Sequence, residues 1–134
     1  MFQHLQDMGS PYGITFMDII LVSNTRLSIE ASEYAKAHNR FDEFHDAVFK
    51  AYFTFGRDIG QIAVLSRIGQ DVGLDAHDLQ IALETGTYRP VIEEARQEAS
   101  RLGIKAAPTF VLNDRDRIVG AHPLEMFRNK LKSY

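Results

Sequence analysis

The 134-residue sequence contains no cysteine and no tryptophan. The first absence excludes disulfide bonds, thiolate metal sites and cysteine nucleophiles together. There is no Gly-x-Ser-x-Gly elbow for a serine hydrolase, and neither a P-loop nor a dinucleotide fingerprint. No apolar stretch approaches the roughly 20 residues that would span a bilayer. No charge of one sign dominates: the formal net charge is −3. Nucleic-acid binding, which calls for a basic stripe, is not expected. Metal binding is not expected either. The five histidines, His4, His38, His45, His77 and His122, show no set of three or four ligands. No cofactor is implied, and no membrane partner.

What is present is the composition of a globular chain, 45% hydrophobic and 25% charged. The length suits one compact domain over 1–134, able to bury roughly two-thirds of its unfolded surface. The opening MFQHLQDMGSPYG lacks the basic start and apolar centre of a signal peptide, which makes the cytoplasm the expected compartment.

Phe2 to Met8 predicts a short helix, broken at Gly9-Ser10-Pro11. Ile14 to Val22 is nine residues with one charge, and predicts a buried strand of a parallel sheet. Helical spacing then takes over. Leu27, Ala31, Tyr34, Ala35 and His38 share a face. Phe41, Phe44, Val48 and Tyr52 repeat the pattern. Asp58 with Gln61 resembles a capping box that opens a helix carrying Ile62, Leu65, Ile68 and Val72. Gly73 supplies its left-handed stop. Asp75 caps a helix presenting Leu79, Ala82 and Leu83, ending near Gly86. Pro90 suits the first turn of a further helix, which stops at Gly103. The dense aromatics Phe41, Phe44, Phe49, Tyr52, Phe53 and Phe55 are expected in the core of this helical block. Thr109–Asn113 and Arg117–Val119 then read as an antiparallel hairpin around Asp114-Arg115-Asp116. Pro123 begins a last helix through Met126, Phe127, Lys130 and Leu131.

From Gly103 the chain reads GIKAAPTFVLNDRDRIVGAHPLEMF. Gly103, Pro108, Thr109, Phe110, Gly120 and Ala121 resemble the end of DsbA-like thioredoxin-fold proteins. Ile104 and Ala106 stand where that pattern has valine and glycine. The stretch EYAKAHNRFDEFHDAVFKAYFTFGRDIG, after Asn24-Thr25, resembles the helical insertion of the FrnE branch. The resemblance implies an α/β thioredoxin-like fold of DsbA type, with a helical insertion over 26–102 and a hairpin plus helix over 103–134. It implies dithiol–disulfide exchange on protein or peptide thiols in the complete enzyme. It also implies a cis bond before Pro108, with Ala107, Pro108 and Thr109 positioning an extended substrate by strand addition. Read from the residues alone, Pro108 would instead open an edge strand in the ordinary trans form.

The departure is equally informative. The family's redox centre is a Cys-x-x-Cys at a helix start, and this sequence has none. It reads as such an enzyme without its N-terminal third and with an incomplete sheet. No residue is assigned as catalytic, and the chain is expected to be inactive alone. Two other classes stay open: a non-catalytic peptide- or partner-binding module, and a part of a glutathione-dependent 2-hydroxychromene-2-carboxylate isomerase-like protein. By the resemblance, the absent strand would leave Ile14–Val22 and Thr109–Asn113 without their shared neighbour. Unpaired edges invite another chain, so a homodimer is the expected assembly.

Overall fold

The computed structural model describes residues 2–18 and 20–134. It divides into two units, residues 1–93 and 94–134, each described in its own terms.

The first unit is helical. It contains α1 (Phe2–Gly9), α2 (Arg26–Ala37), α3 (Phe41–Phe49), α4 (Ile62–Asp71) and α5 (Ala76–Thr85). A 3₁₀ turn over Ser10–Tyr12 follows α1, and a π turn over Lys50–Thr54 continues α3. The apolar stripes expected from 3.6-residue spacing do face inward. Ala31, Tyr34 and Ala35 of α2 meet Phe44 and Val48 of α3, Leu65 and Ile68 of α4, and Leu79 and Leu83 of α5.

Two details show how the sequence sets this packing. Gly69 lies where α4 approaches α5, and a Cβ there would sit 2.7 Å from Leu79 Cδ2. A side chain there would force the buried Leu79 side chain to move in a closely packed core. After α4 the chain must turn out of the helix, and Gly73 does so at φ 86°, a left-handed stop that a Cβ would penalise. Asp75 caps α5 as expected, its Oδ1 accepting the Asp78 N–H at 2.9 Å.

Asp58 does not cap α4. The helix begins at Ile62, and Asp58 instead accepts the Gly60 N–H at 3.0 Å and the Gln61 side-chain amide at 3.1 Å. These two donors, the Gln61 amide first, hold its carboxyl below the usual carboxylate range. A short acidic side chain that can close its own local turn competes with the helix start.

The larger correction concerns Ile14–Val22. The described residues of this segment form no strand. A strand needs a neighbour to take its backbone groups in a ladder. Here the segment is tied to the π turn that continues α3 instead. Met17 N–H donates to Phe53 O at 2.9 Å, Thr54 Oγ1 to Thr15 O at 2.9 Å, and the Tyr52 hydroxyl to Leu21 O at 3.1 Å. The segment is not buried either. Ile20 is 97% and Val22 88% exposed.

A hydrogen bond from buried Tyr34 on α2 to exposed Asp78 on α5 makes a testable contribution. Tyr34 lies in the core, and its hydroxyl donates to Asp78 Oδ2 at 2.8 Å. Burial first, then the hydrogen bond and negative charge of Asp78, push the Tyr34 hydroxyl well above the ordinary tyrosine range. A folded-state pKa raised above the unfolded one contributes stability that is complete below the unfolded pKa and lost as pH rises toward the folded one. Stability is therefore expected to fall above about pH 10. Tyr34→Phe should cost about 1.5–3 kcal/mol at neutral pH, the worth of a hydrogen bond to a charged group, and should flatten the alkaline fall. Urea titrations of both proteins at neutral and alkaline pH check this; parallel pH profiles would refute it.

The helix α6 (Arg89–Arg101) spans the boundary between the units, and Gly103, at φ 64°, follows its end. The second unit then carries a two-stranded antiparallel sheet, β1 (Thr109–Leu112) and β2 (Asp116–Val119), and α7 (Leu124–Lys132). Thr109 faces Val119 and Leu112 faces Asp116. The turn is made by Asn113 and Asp114, both at positive φ (49° and 57°). Asparagine and aspartate tolerate that region better than other side-chain-bearing residues. Phe110 meets Phe127 of α7 edge to face at 4.8 Å. The Tyr134 hydroxyl and the Lys130 ammonium both reach Asp116.

Candidate functional site

The residues expected to position substrate, Ala107, Pro108 and Thr109, run consecutively into the start of β1. The Ala107–Pro108 peptide bond is cis. Ala107 and Pro108 are exposed and Thr109 is half-buried. Pro108 O accepts the Gly120 N–H at 2.8 Å, and Thr109 Oγ1 donates to Ala106 O at 2.6 Å. The site is thus fixed on two sides by its own hairpin.

The Gly120–Pro108 bond sets the sense of the ladder. Backbone groups alternate along a strand, so Phe110 and Leu112 turn theirs toward β2, and Thr109 and Val111 turn theirs away. Among the described residues no chain segment pairs with that outer edge, and the backbone of Ala107 also has no hydrogen-bond partner. The arrangement offers an extended peptide a short row of donors and acceptors beginning at the cis bond. It offers no group for bond-making. The described residues hold no cluster of three or more metal-ligating side chains.

A second feature, in the first unit, escaped the reading of the sequence. The aromatic stretch is not wholly core. Phe44 is fully buried, but Phe49 is 51% and Phe55 63% exposed, and Tyr52 and Phe53 are half-buried. A helix turns every 3.6 residues, so closely spaced aromatics cannot all face one way. Phe44 and Val48 take the core face, while Phe41, His45, Phe49 and Phe53, each four residues apart, form a stripe on another. Successive ring centroids lie 5.3, 4.5 and 5.6 Å apart, and Phe16 adds an edge contact to Phe53 at 5.7 Å. His45, Phe49 and Phe53 of this stripe, with Leu5, Ile14 and Phe55, wall an open apolar cleft of about 630 Å³, with Asp46 and Lys50 among its lining residues. The i, i+4 recurrence of Phe, His, Phe and Phe was the signal available in the sequence. Grouping Phe41 with Phe44 and Val48 concealed it.

Comparison with known proteins places the chain in a family. The chain is 34% identical over 113 residues to the uncharacterized protein YwbO of Bacillus subtilis (strain 168), covering 82% of this chain and 56% of that protein. It therefore spans little more than half the length of that relative. A crystal structure from Nitrosomonas europaea, of a provisionally assigned protein disulfide isomerase, superimposes with a TM-score of 0.71. That match covers 98% of this chain and 70% of the other, at 18% identity, and so speaks for the fold. The expectation of a DsbA-type thioredoxin fold with a large helical part is met. Residues 1–132 match the DSBA-like thioredoxin domain, and the chain belongs to that family.

Proposed function

We propose that this chain is the substrate-positioning part of a thiol–disulfide oxidoreductase of DsbA type, of the FrnE-like branch, and that it performs no exchange chemistry alone. The observation that carries the reading is the cis Ala107–Pro108 bond at the head of β1, beside a strand edge whose outward backbone groups are unpaired among the described residues. Thiol–disulfide exchange starts with attack by a thiolate, and the sequence has no cysteine to supply one. The reading therefore separates binding from chemistry. Thr109 and Val111 hold an extended cysteine-containing peptide by its main chain, and the thiolate comes from elsewhere.

Two measurements test it. The purified chain is expected to leave insulin reduction by dithiothreitol at the uncatalysed rate; acceleration that survives removal of contaminating thioredoxins would refute the division of labour. Titration of an extended cysteine-containing peptide into isotope-labelled protein is expected to move the amide signals of Ala107, Thr109 and Val111. Val111→Pro removes an outward N–H while leaving the β2 ladder intact, as proline is tolerated on an open edge. It should weaken the peptide up to about tenfold, the worth of one hydrogen bond. Signal changes confined to other residues would sink the proposal. Binding of glutathione in place of the peptide would favour the glutathione-dependent isomerase branch instead.

A further inference from the structure

Independently of that reading, two exposed apolar features lie within residues 1–93. One part is the aromatic cleft walled by Phe16, Phe49, Phe53 and Phe55, about 630 Å³ in volume and open to solvent. The other is the segment carrying Ile20, Leu21 and Val22, which are 97%, 48% and 88% exposed. The alternation shows that Ile20 and Val22 share the outward side. Single exposed apolar residues are ordinary, but a contiguous apolar patch of this kind marks an interaction surface.

The segment cannot readily fold back into its own cleft. Met17 N–H is bonded to Phe53 O and the Tyr52 hydroxyl to Leu21 O. These ties fasten its inner side to the same helix end that forms the cleft wall and leave Ile20 and Val22 facing away. We propose that two copies of this chain associate about a two-fold axis, each seating Ile20 and Val22 in the aromatic cleft of the other. Such an isologous pairing covers knob and hole on both copies at once, and a two-fold pair is the commonest assembly.

Charge and area fit a second copy. Asp46 and Lys50 line the cleft four residues apart, and neither has an ion-pair partner among the described residues. Across a two-fold axis the acid of one copy can meet the base of the other. Besides Ile20, Leu21 and Val22, the side chains of Tyr12, Ile14, Met17, Phe49 and Phe55 are each more than 40% exposed. At about 100 Å² apiece, covering all eight removes roughly 800 Å² per copy, the size of a standard stable interface. This places the contact on the helical unit, not on the edge of β1.

Sedimentation equilibrium at micromolar concentration is expected to give twice the 15.2 kDa chain mass. Ile20→Asp with Val22→Asp puts charges into an apolar seat and should raise the dimer dissociation constant by at least about 100-fold. The circular dichroism should not change, because both positions are exposed. Ile81→Asp, on an exposed position of α5, should leave the mass unchanged. In this cysteine-free background, chains carrying Ile20→Cys should cross-link under oxidation to chains carrying Phe49→Cys or Phe55→Cys. A monomer throughout the range, a dimer indifferent to the two aspartates, or cross-linking to neither aromatic position would overturn the proposal. A dimer disrupted by Val111→Pro instead would move the contact to the hairpin.

Discussion

Phe44→Ala is expected to lower the unfolding free energy by about 3–5 kcal/mol, the cost of deleting a fully buried aromatic ring from a packed core. Phe44 has no exposed surface and belongs to the cluster that joins α2, α3, α4 and α5. Its neighbours in that cluster come from helices held on several sides, so they cannot collapse fully into the space it leaves. A domain has only about 5–15 kcal/mol in hand, so the variant should stand near the edge of folding. Phe55→Ala is the internal comparison. Its ring is 63% exposed, and truncation in dilute solution should cost less than about 1 kcal/mol. Urea unfolding of the two variants, compared at equal m, reads the difference. Equal losses would mean that Phe55 is as firmly enclosed in solution as the core.

The helical part was legible because each stretch carried consistent signals. Tyr34, Phe44, Leu65 and Leu79 fell where 3.6-residue spacing put them, and Gly73, Asp75 and Gly86 marked ends that the chain uses. The hairpin was legible for the same reason: a β-rich run at Thr109–Leu112 meets a polar turn with Asn113 and Asp114. Ile14–Val22 failed because composition reports what a segment could do in company. Isoleucine and valine suit a strand only when a neighbour completes the ladder. Here its partners are the Phe53 carbonyl and the Tyr52 hydroxyl of the π turn. The same limit hid the cleft. Residue type says that an aromatic prefers burial, whereas the helix phase decides which of several aromatics obtains it. Ala107–Thr109 could be singled out only by family resemblance, since three small or uncharged residues carry no chemical signature of their own.

Removing both Arg26 and Arg89 is expected to destabilise the chain by about 3–5 kcal/mol, the penalty for stranding a buried charge. Glu30, on α2, is 1% exposed, and neither of its carboxylate oxygens has a hydrogen-bond partner among the described residues. Compensation comes from two guanidinium groups that reach Oε1 at longer range, Arg26 Nη1 at 3.5 Å and Arg89 Nε at 3.7 Å. Both arginines are about half exposed, at 48% and 58%. The arrangement is therefore asymmetric. If Glu30 is removed, the arginines regain water at little cost. If the arginines are removed, the carboxylate remains in a place that water does not reach. Glu30→Met should accordingly be neutral or stabilising, because a well-packed apolar group avoids the desolvation of the ion pair. Arg26→Met with Arg89→Met should be damaging, and adding Glu30→Met to that pair should restore most of the loss. The restoration is the diagnostic quantity, since it measures coupling between the three groups and not the loss of arginine packing. Thermal and urea unfolding of the single, double and triple variants would give it directly. A double variant within about 1 kcal/mol of the parent, or a triple variant no more stable than the double, would show that Glu30 is not held by its arginines.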